Sequence, residues 1–525
     1  MTGAALAFAL LMVFGLIGLV LVNGLGFFWP RDVYRLTLTD RSVVLGEIVA
    51  REPIPGRQAA EGPPPHRIKV KQGNRDLYGS DFLWIDEARI TSRERPIEAI
   101  VIERREWGNL YGVIREVREG SRVVAAGAHA GWAALNERLP SAQDLFERIR
   151  AIEKTEIGRL NYAQERIRLR LRGLELRGVR DGPDVERLQQ ERATLRAQYD
   201  ERLAELNRLR AEMTGSVVVS APGDKEKDLA IGQIVRAYRP NAMSSVQKAA
   251  LYAQKVWEFV AGEPRESNTE GGVAPAIFGT VLMVFIMSVI VTPFGVLAAF
   301  YLREYAQQGP FVSAVRIAVN NLAGVPSIVF GVFGLGFFVY IVGGSIDRLF
   351  FPEALPTPTF GTGGILWASL TLALLTVPVV IVATEEGLAA VPRSIREGSL
   401  ALGATKLETT LRVVLPAVLP SILTGLILAM ARAAGEVAPL MITGVVKLAP
   451  ALPIDAFPPF VHLERKFMHL GFHIYDVGFQ SPNVDAARPM VFATTLLLLG
   501  IVLVLNLLAI MLRGRLRRKY ATSAV

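Results

Sequence analysis

Residues 397–416 read EGSLALGATKLETTLRVVLP and lead into the apolar run Val413–Ala431. Pro392 can begin a helix ahead of this stretch, because its missing N–H and fixed φ suit the first helical position. Gly403 predicts the end of that helix, since glycine accepts the left-handed conformation that closes many helices. A second short helix then precedes Pro416. Charged side chains keep this stretch out of lipid, so it predicts a compact knob at the end of a membrane helix.

Six apolar segments are long enough to cross a membrane, which takes about 20 residues. The first lacks a basic region before it and a small-residue cleavage site before Trp29, so it predicts a retained helix rather than a signal peptide. The six segments are Ala4–Phe28, Ala274–Tyr301, Ile317–Gly343, Gly363–Ala383, Val413–Ala431 and Val491–Leu512. We therefore expect a mainly α, polytopic membrane protein.

The composition indicates that part of the chain lies in water rather than in lipid. Of 525 residues, 51% are hydrophobic and 20% charged, and the charges crowd between about residues 31 and 266. The net charge of +9 comes largely from one arginine-rich helical stretch and the C-terminal tail, which favours membrane lipid over nucleic acid as partner. The chain has no cysteine, which excludes disulfide scaffolds and thiol chemistry.

The polar insert is expected on the outer side of the membrane. Basic residues in the short loops predict cytoplasmic N- and C-termini, and long domains translocate largely regardless of charge. The predicted parts are a first membrane helix (1–28), an external β-rich domain (29–126), an external helical hairpin or coiled coil (127–215), returning strands with an amphipathic helix (216–270), and a transmembrane domain (271–525) with the knob within 385–416. A hairpin merely packed on the β domain and a partner-binding coiled coil are both open.

Short alternating runs predict the strands of the insert. They are Val33–Leu38, Ser42–Val49, Arg67–Val70, Ile97–Ile102, Ser216–Ser220 and Leu229–Val235, followed by a helix at Ser244–Val260. The hairpin turn is placed at Asp181–Asp184.

The spacing of residues 397–416 resembles the EAA loop of permeases of ATP-binding-cassette importers. That loop reads Glu-Ala-Ala, three residues, Gly, nine residues, Ile-x-Leu-Pro, and the matching positions here are Glu397, Gly403, Leu415 and Pro416. Gly398, Ser399 and Val413 depart in residue type only. The resemblance implies a type I importer core whose loop couples to a separate ATPase subunit.

Four more segments resemble phosphate importer permeases of the PstA type. They are GVAPAIFGT (272–280), PFGVLAA (293–299), NLAGVPSIVFG (321–331) and ARAAGEVAPL (431–440). The PstC type is closely similar, but VAPL at 437–440 favours PstA. The resemblance covers residues 271–520 and implies a bacterial inner-membrane location, a PstC-type subunit in a heterodimer, a dimer of ATP-binding subunits and an external phosphate-binding protein. It does not extend to the insert.

Arg432 and Glu436 are the charges placed to act on a substrate, because ionisable residues in membrane segments often line a pathway. A guanidinium can bind phosphate oxygens, and Glu436 could hold it in place. A structural i,i+4 ion pair is the alternative. Asn320, Asn321 and Ser327 are weaker pathway candidates, since they could equally make interhelical hydrogen bonds.

Catalytic and metal chemistry find little support in the sequence. A Gly-x-x-x-x-Gly-Lys-Ser/Thr motif is absent, so no ATP hydrolysis, catalytic residue or cofactor is predicted. His462, His469 and His473 share a loop with Glu464 and Asp476, but their loose spacing favours interfacial surface over a metal site.

Two classes of function remain. One is a phosphate importer permease that forms half of the pathway, or a permease for another oxyanion. The other is a membrane-anchored sensor or scaffold that acts through the external coiled-coil domain. The stretch Glu397–Pro416 favours the permease, because a scaffold has no need of an ATPase-docking knob.

Overall fold

The computed structural model describes residues 2–55, 64–481 and 483–521. The chain forms two compact units, an insert unit (Phe28–Gly272) and a membrane unit made of the residues on either side of it. The helices are α1 (Thr2–Gly26), α2 (Arg75–Tyr78), α3 (Ala128–Ala151), α4 (Ile157–Leu176), α5 (Pro183–Glu212), α6 (Ser245–Ala261), α7 (Ala274–Phe300), α8 (Pro310–Leu322), α9 (Ser327–Phe333), α10 (Gly344–Phe350), α11 (Ile365–Ala390), α12 (Arg393–Ala401), α13 (Lys406–Thr409), α14 (Leu415–Gly435), α15 (Ala438–Thr443), α16 (Leu470–Tyr475) and α17 (Val484–Ala521).

Wider π-helical turns continue several of these helices. They are Ile152–Glu156, Tyr301–Tyr305, Gly334–Gly343, Thr410–Val414 and Asp476–Gln480. The strands are β1 (Val33–Leu38), β2 (Val43–Pro53), β3 (His66–Lys71), β4 (Phe82–Asp86), β5 (Ile90–Glu94), β6 (Ile100–Arg104), β7 (Asn109–Glu119), β8 (Arg122–Ala126), β9 (Gly215–Ala221), β10 (Lys225–Ala230), β11 (Ile234–Tyr238), β12 (Pro264–Arg265) and β13 (Glu270–Gly271).

Six helical stretches of the described residues are long and apolar enough to span a membrane, which confirms the predicted architecture. They are Gly3–Gly26, Ala274–Tyr305, Ser327–Phe350, Ile365–Ala390, Lys406–Gly435 and Val484–Arg515. The predicted start of the third span at Ile317 is wrong. Pro326 has no N–H and disfavours helical geometry at the residue before it, so α8 ends at Leu322 and the span begins at Ser327.

Helix α11 forms the centre of the membrane unit. Of the residues in its most apolar stretch of 18, 67% are buried. Glycines let its neighbours approach closely: a Cβ on Gly295 of α7 would lie 2.7 Å from Val380 Cγ1, and one on Gly425 of α14 would lie 2.7 Å from Ala383 Cβ. Small residues at such contacts allow membrane helices to pack through their backbones. The membrane unit is therefore built around α11.

Two large antiparallel sheets and a two-stranded one, β12-β13, make up the β part of the insert unit. The first has the order β4-β3-β2-β1-β5, and the second β10-β9-β7-β6-β11 with β8 paired to β7. Helix α3 covers the second sheet, where Leu135 packs among Ile102, Leu110 and Val219. A single strand at Leu229–Val235 is wrong, because a 3₁₀ turn at residues 231–233 separates β10 from β11.

Helices α4 and α5 form the predicted hairpin. Pro183 begins α5 at the predicted turn, where its missing N–H costs no hydrogen bond. The base of the hairpin is held by an apolar cluster of Ile149, Ile152, Leu206 and Leu209.

Glu103 on β6 should control the acid stability of the insert unit. Its Oε1 lies 2.6 Å from Lys255 Nζ and its Oε2 lies 2.9 Å from Arg236 Nη1. Burial alone raises the pKa of Glu103, but the charges of Lys255 and Arg236 outweigh it and hold the pKa at about 2. Because this value lies below the unfolded value of about 4.3, the contribution is complete above roughly pH 4.5 and is lost as the pH falls towards 2.

Glu103→Gln should therefore lower the free energy of unfolding by about 3 kcal/mol at pH 7, because the partly buried cations Lys255 and Arg236 lose a buried counter-charge. It should also flatten the pH dependence of stability between about pH 2 and 4.5. Urea unfolding of the purified chain across this range measures both effects. Glu98→Gln, at an exposed acid of the same unit, is the control, and equal curves for the two variants would contradict the assignment.

Candidate functional site

The knob predicted at 397–416 is a pair of short helices joined by a tight turn. Helix α12 begins at Arg393, so Pro392, predicted as the first helical residue, lies one position before it as the N-cap. Gly403 has φ of +88°, and its N–H donates to the Leu400 carbonyl at 2.9 Å. This left-handed closure ends α12 as expected.

The second half of the knob is capped and tied to the first. The Thr405 hydroxyl accepts from the Glu408 N–H, and the Glu408 carboxylate accepts from the Thr405 N–H at 2.9 Å, which forms a capping box. Ser399 Oγ and Thr409 Oγ1 lie 2.9 Å apart and bridge the two helices. The knob therefore has a defined shape, and it continues without a break into the fifth span.

Leu415 and Pro416 form the first turn of α14, below the knob. Both side chains are partly buried, and Leu415 packs against an apolar cluster that includes Val312 and Leu388. These two positions therefore set how the knob joins the span.

Arg396 anchors the knob to the membrane helices, a role that the sequence analysis missed. Its guanidinium donates to the carbonyls of Val391 (2.7 Å) and Leu388 (2.8 Å) at the end of α11, and to Glu304 Oε1 (2.9 Å) beyond α7. The last carbonyls of a helix lack partners within it, so an arginine shortly after the end of α11 was the available signal. The partner Glu304 lies 92 residues away and had no such signal.

The surface of the knob carries exposed leucines beside charged side chains. Leu402 is 90% exposed, and Leu407 and Leu411 are also exposed. Glu397 is exposed too. Exposed apolar side chains grouped on a protruding element indicate a surface that another protein covers.

Arg432 and Glu436 form an ion pair at the end of α14. Arg432 Nε lies 3.5 Å from Glu436 Oε1, and the two side chains are 35% and 19% exposed. Glu436 follows the last helical residue in extended backbone, so it turns out of α14 while staying within reach of the arginine. In the described part of the chain, the two Nη groups of Arg432 have no hydrogen-bond partner. They are therefore free to bind an anion.

The weaker pathway candidates are separated by the break before α9. Asn320 and Asn321 lie exposed on α8 rather than on the third span, and no side-chain hydrogen bond to another helix is seen for either within the described residues. Ser327 is the first residue of α9, which packs against α15: a Cβ on Gly331 would lie 2.7 Å from Pro439 Cα. Ser327 therefore belongs to the helix that neighbours the segment after Glu436.

The histidines of the last loop are buried, so the prediction of an interfacial surface is wrong. His462 lies 3.1 Å from Asp455 Oδ1 and 3.1 Å from Glu464 Oε1. Burial lowers the pKa of His469 to about 3 and that of His473 to about 4, so both are neutral. Within the described ranges, no group of three or more metal-ligating side chains is arranged to hold an ion.

Comparisons with known proteins match the membrane unit. Residues 291–520 match the family described as binding-protein-dependent transport system inner membrane component. The probable ABC transporter permease protein YqgI of Bacillus subtilis is 29% identical over 262 residues, which are 49% of this chain and 83% of YqgI.

Two PstA proteins match a shorter part of the chain. The phosphate transport system permease protein PstA of Mycobacterium leprae is 37% identical over 172 residues, 33% of this chain and 51% of that protein. The probable phosphate transport system permease protein PstA of Methanocaldococcus jannaschii is 33% identical over 190 residues, 36% of this chain and 60% of that protein. The matched family region contains the knob and the Arg432–Glu436 pair. Residues 291–520 are therefore similar to binding-protein-dependent transport permeases, and the relatives matched there include permeases of the PstA type.

Proposed function

We propose that the chain is the permease subunit of an ATP-driven phosphate importer and forms half of the translocation pathway. The observation that carries this proposal is the knob: a rigid, capped pair of helices with exposed leucines, at the spacing of an ATPase-coupling loop. Its partners would be a PstC-type subunit, a dimer of ATP-binding subunits and an external phosphate-binding protein.

Coupling would run from the ATPase through the knob to the membrane helices. Arg396 ties α12 to the end of α11 and to Glu304, so a displacement of the knob acts on two helices at once. These charge-assisted hydrogen bonds are stronger than neutral ones, and the arginine is mostly buried. The knob can therefore move as one body with the ends of α7 and α11.

The orientation of the chain in the membrane follows from the proposed contact between the knob and the ATPase. ATP is cytoplasmic, so the knob and the basic loop residues Arg303 and Arg316 would face the cytoplasm. The insert unit would then lie on the outer side of the membrane.

Arg432 supports an oxyanion as cargo. Its planar guanidinium can donate two parallel hydrogen bonds to phosphate oxygens, and its ion pair with Glu436 is made at Nε, at 3.5 Å. The negative charge of Glu436 keeps the affinity for an anion low enough for release, as a conducting site requires.

Uptake of labelled phosphate tests this function in cells that lack their own phosphate importers and express the chain with its three partners. We expect ATP-dependent uptake that tenfold excesses of sulfate and molybdate leave unchanged. Competition by either anion, with direct uptake of it, would identify another oxyanion as the cargo. A correctly assembled complex that transports none of the three would favour the membrane-anchored scaffold. The complex without this chain is the control.

A further inference from the structure

Four arginines form a row along helix α4 of the insert unit, the last of them at the C-cap position just after Leu176. Arg159, Arg166, Arg170 and Arg177 are spaced by 7, 4 and 7 residues. At about 100° per residue their directions fall within roughly 40° of one another, and at 1.5 Å per residue the row is about 27 Å long. We call this set the arginine row.

Among the described residues, the arginine row has no counter-charge. All four side chains are exposed, and none makes an ion pair with a described residue. The one contact recorded for the row is with an aromatic ring, since the Arg166 guanidinium lies 6.0 Å from the centre of the Tyr162 ring.

Two other arginines of α4 are neutralised locally. Arg168 and Arg172, also on α4, pair with Glu165 and Glu175 at 2.6 Å. Paired and unpaired arginines therefore occur on the same helix, but on different sides of it. The unpaired charges are therefore confined to one side of α4, rather than reflecting a uniformly solvated surface.

The row lies to one side of the face of α4 that packs on the rest of the hairpin. On α4 the buried side chain is Ile167, and Gln164 donates to the Leu195 carbonyl of α5 at 3.4 Å. Like charges four residues apart repel each other by a few tenths of a kcal/mol, so Arg166 and Arg170 destabilise the free helix slightly. A bound anion would remove that repulsion.

We propose that the arginine row binds a linear polyanion whose negative groups repeat along an extended chain. A single small anion could contact only one or two of these exposed side chains, whereas an extended polyanion can contact all four along 27 Å of roughly straight helix. Guanidinium groups suit phosphate or carboxylate repeats because they donate in pairs. The inference concerns the insert unit and does not depend on which anion the membrane unit transports.

The test uses the full chain in nanodiscs of phosphatidylcholine, with inorganic polyphosphate of about 50 units as the probe. A variant with all four row arginines changed to glutamine should bind at least tenfold more weakly at about 0.1 M salt. The slope of log Kd against log salt should fall by about 3, because four phosphate contacts are lost. Orthophosphate at millimolar concentration should not compete.

The matched control removes four charges that are already paired. Arg168, Arg172, Arg187 and Arg196 each pair with an acid three or four residues away on the hairpin. Changing these four to glutamine should alter polyphosphate affinity by less than threefold. Glutamine is a good helix former, so circular dichroism should show the same helix content in both variants.

Three results would overturn the proposal. Two of them are unchanged polyphosphate binding by the row variant and equal losses of affinity in the row and control variants. The third is row-dependent binding to phosphatidylglycerol vesicles without any polyphosphate binding, which would identify a lipid surface as the partner. If the fourfold variant misfolds, the single variants Arg166→Gln and Arg170→Gln are tested instead. Each should weaken polyphosphate binding two- to threefold. Wild-type affinity in both would contradict a role for the arginine row.

Discussion

Arg432→Gln should reduce phosphate uptake to background while the protein remains in the membrane at its normal level. Glutamine keeps hydrogen-bonding groups but loses the charge and the paired donors that would hold two phosphate oxygens. Arg432→Lys keeps the charge alone and should leave uptake at least tenfold below wild type. Labelled phosphate uptake, with immunoblots for membrane abundance, measures both.

The ion pair with Glu436 provides the opposing explanation and its test. If Arg432 only neutralises Glu436, each single variant should lower abundance, since the remaining charge is left without a partner in a poorly solvated place. The double variant Arg432→Gln, Glu436→Gln should then regain abundance and most of the uptake. A double variant with near wild-type transport would remove Arg432 from the pathway. Arg348→Gln, at an exposed arginine in the last turn of the third span, is the control and should transport normally.

Gly403→Val should uncouple the permease from its ATPase. A Cβ at Gly403 would meet nothing within 4 Å, so the effect comes from backbone conformation alone. A β-branched residue at φ of +88° costs on the order of 1–3 kcal/mol, which the turn can avoid only by changing its shape. We expect uptake to fall at least tenfold and co-purification of the ATPase subunit to weaken, while the spans stay inserted.

Gly398→Val is the matched control for this prediction. Gly398 lies within α12 and also has open space around its Cβ position, so a side chain there changes helix propensity by less than about 1 kcal/mol. It should retain most of the coupling. Undiminished ATPase co-purification and uptake with Gly403→Val would show that the shape of the turn is not needed for transport.

The parts of the fold that the sequence predicted are those encoded in one continuous stretch. An apolar run of 20 residues identifies a span, and a glycine at the right spacing identifies the end of α12. The start of the third span was misplaced because residues 317–322 are apolar enough to extend it, whereas Pro326 divides the helix. The strand predicted at 229–235 failed similarly, since a 3₁₀ turn does not interrupt the apolar pattern.

The parts that could not be predicted depend on residues far apart in the chain. Arg396 and Glu304 meet only because the ends of α7, α11 and α12 converge. The burial of His469 and His473 likewise follows from how the loop packs, since histidine and phenylalanine in one short segment suit a surface or a core equally. For Arg432 and Glu436, the sequence predicted the spacing, but only the structure shows that Arg432 Nε lies 3.5 Å from Glu436 Oε1.

The packing of α1 against α17 sets an order of events during synthesis. A Cβ on Gly24 of α1 would lie 3.1 Å from the Phe492 carbonyl oxygen of α17, so the two helices touch closely. Roughly 460 residues are made between them, which at about 5–20 residues per second takes at least about 20 seconds. During that time α1 waits in the bilayer without this partner. Helix α1 must therefore be stable in lipid by itself, and it contains no Asp, Glu, Lys or Arg that would have to wait for a counter-charge.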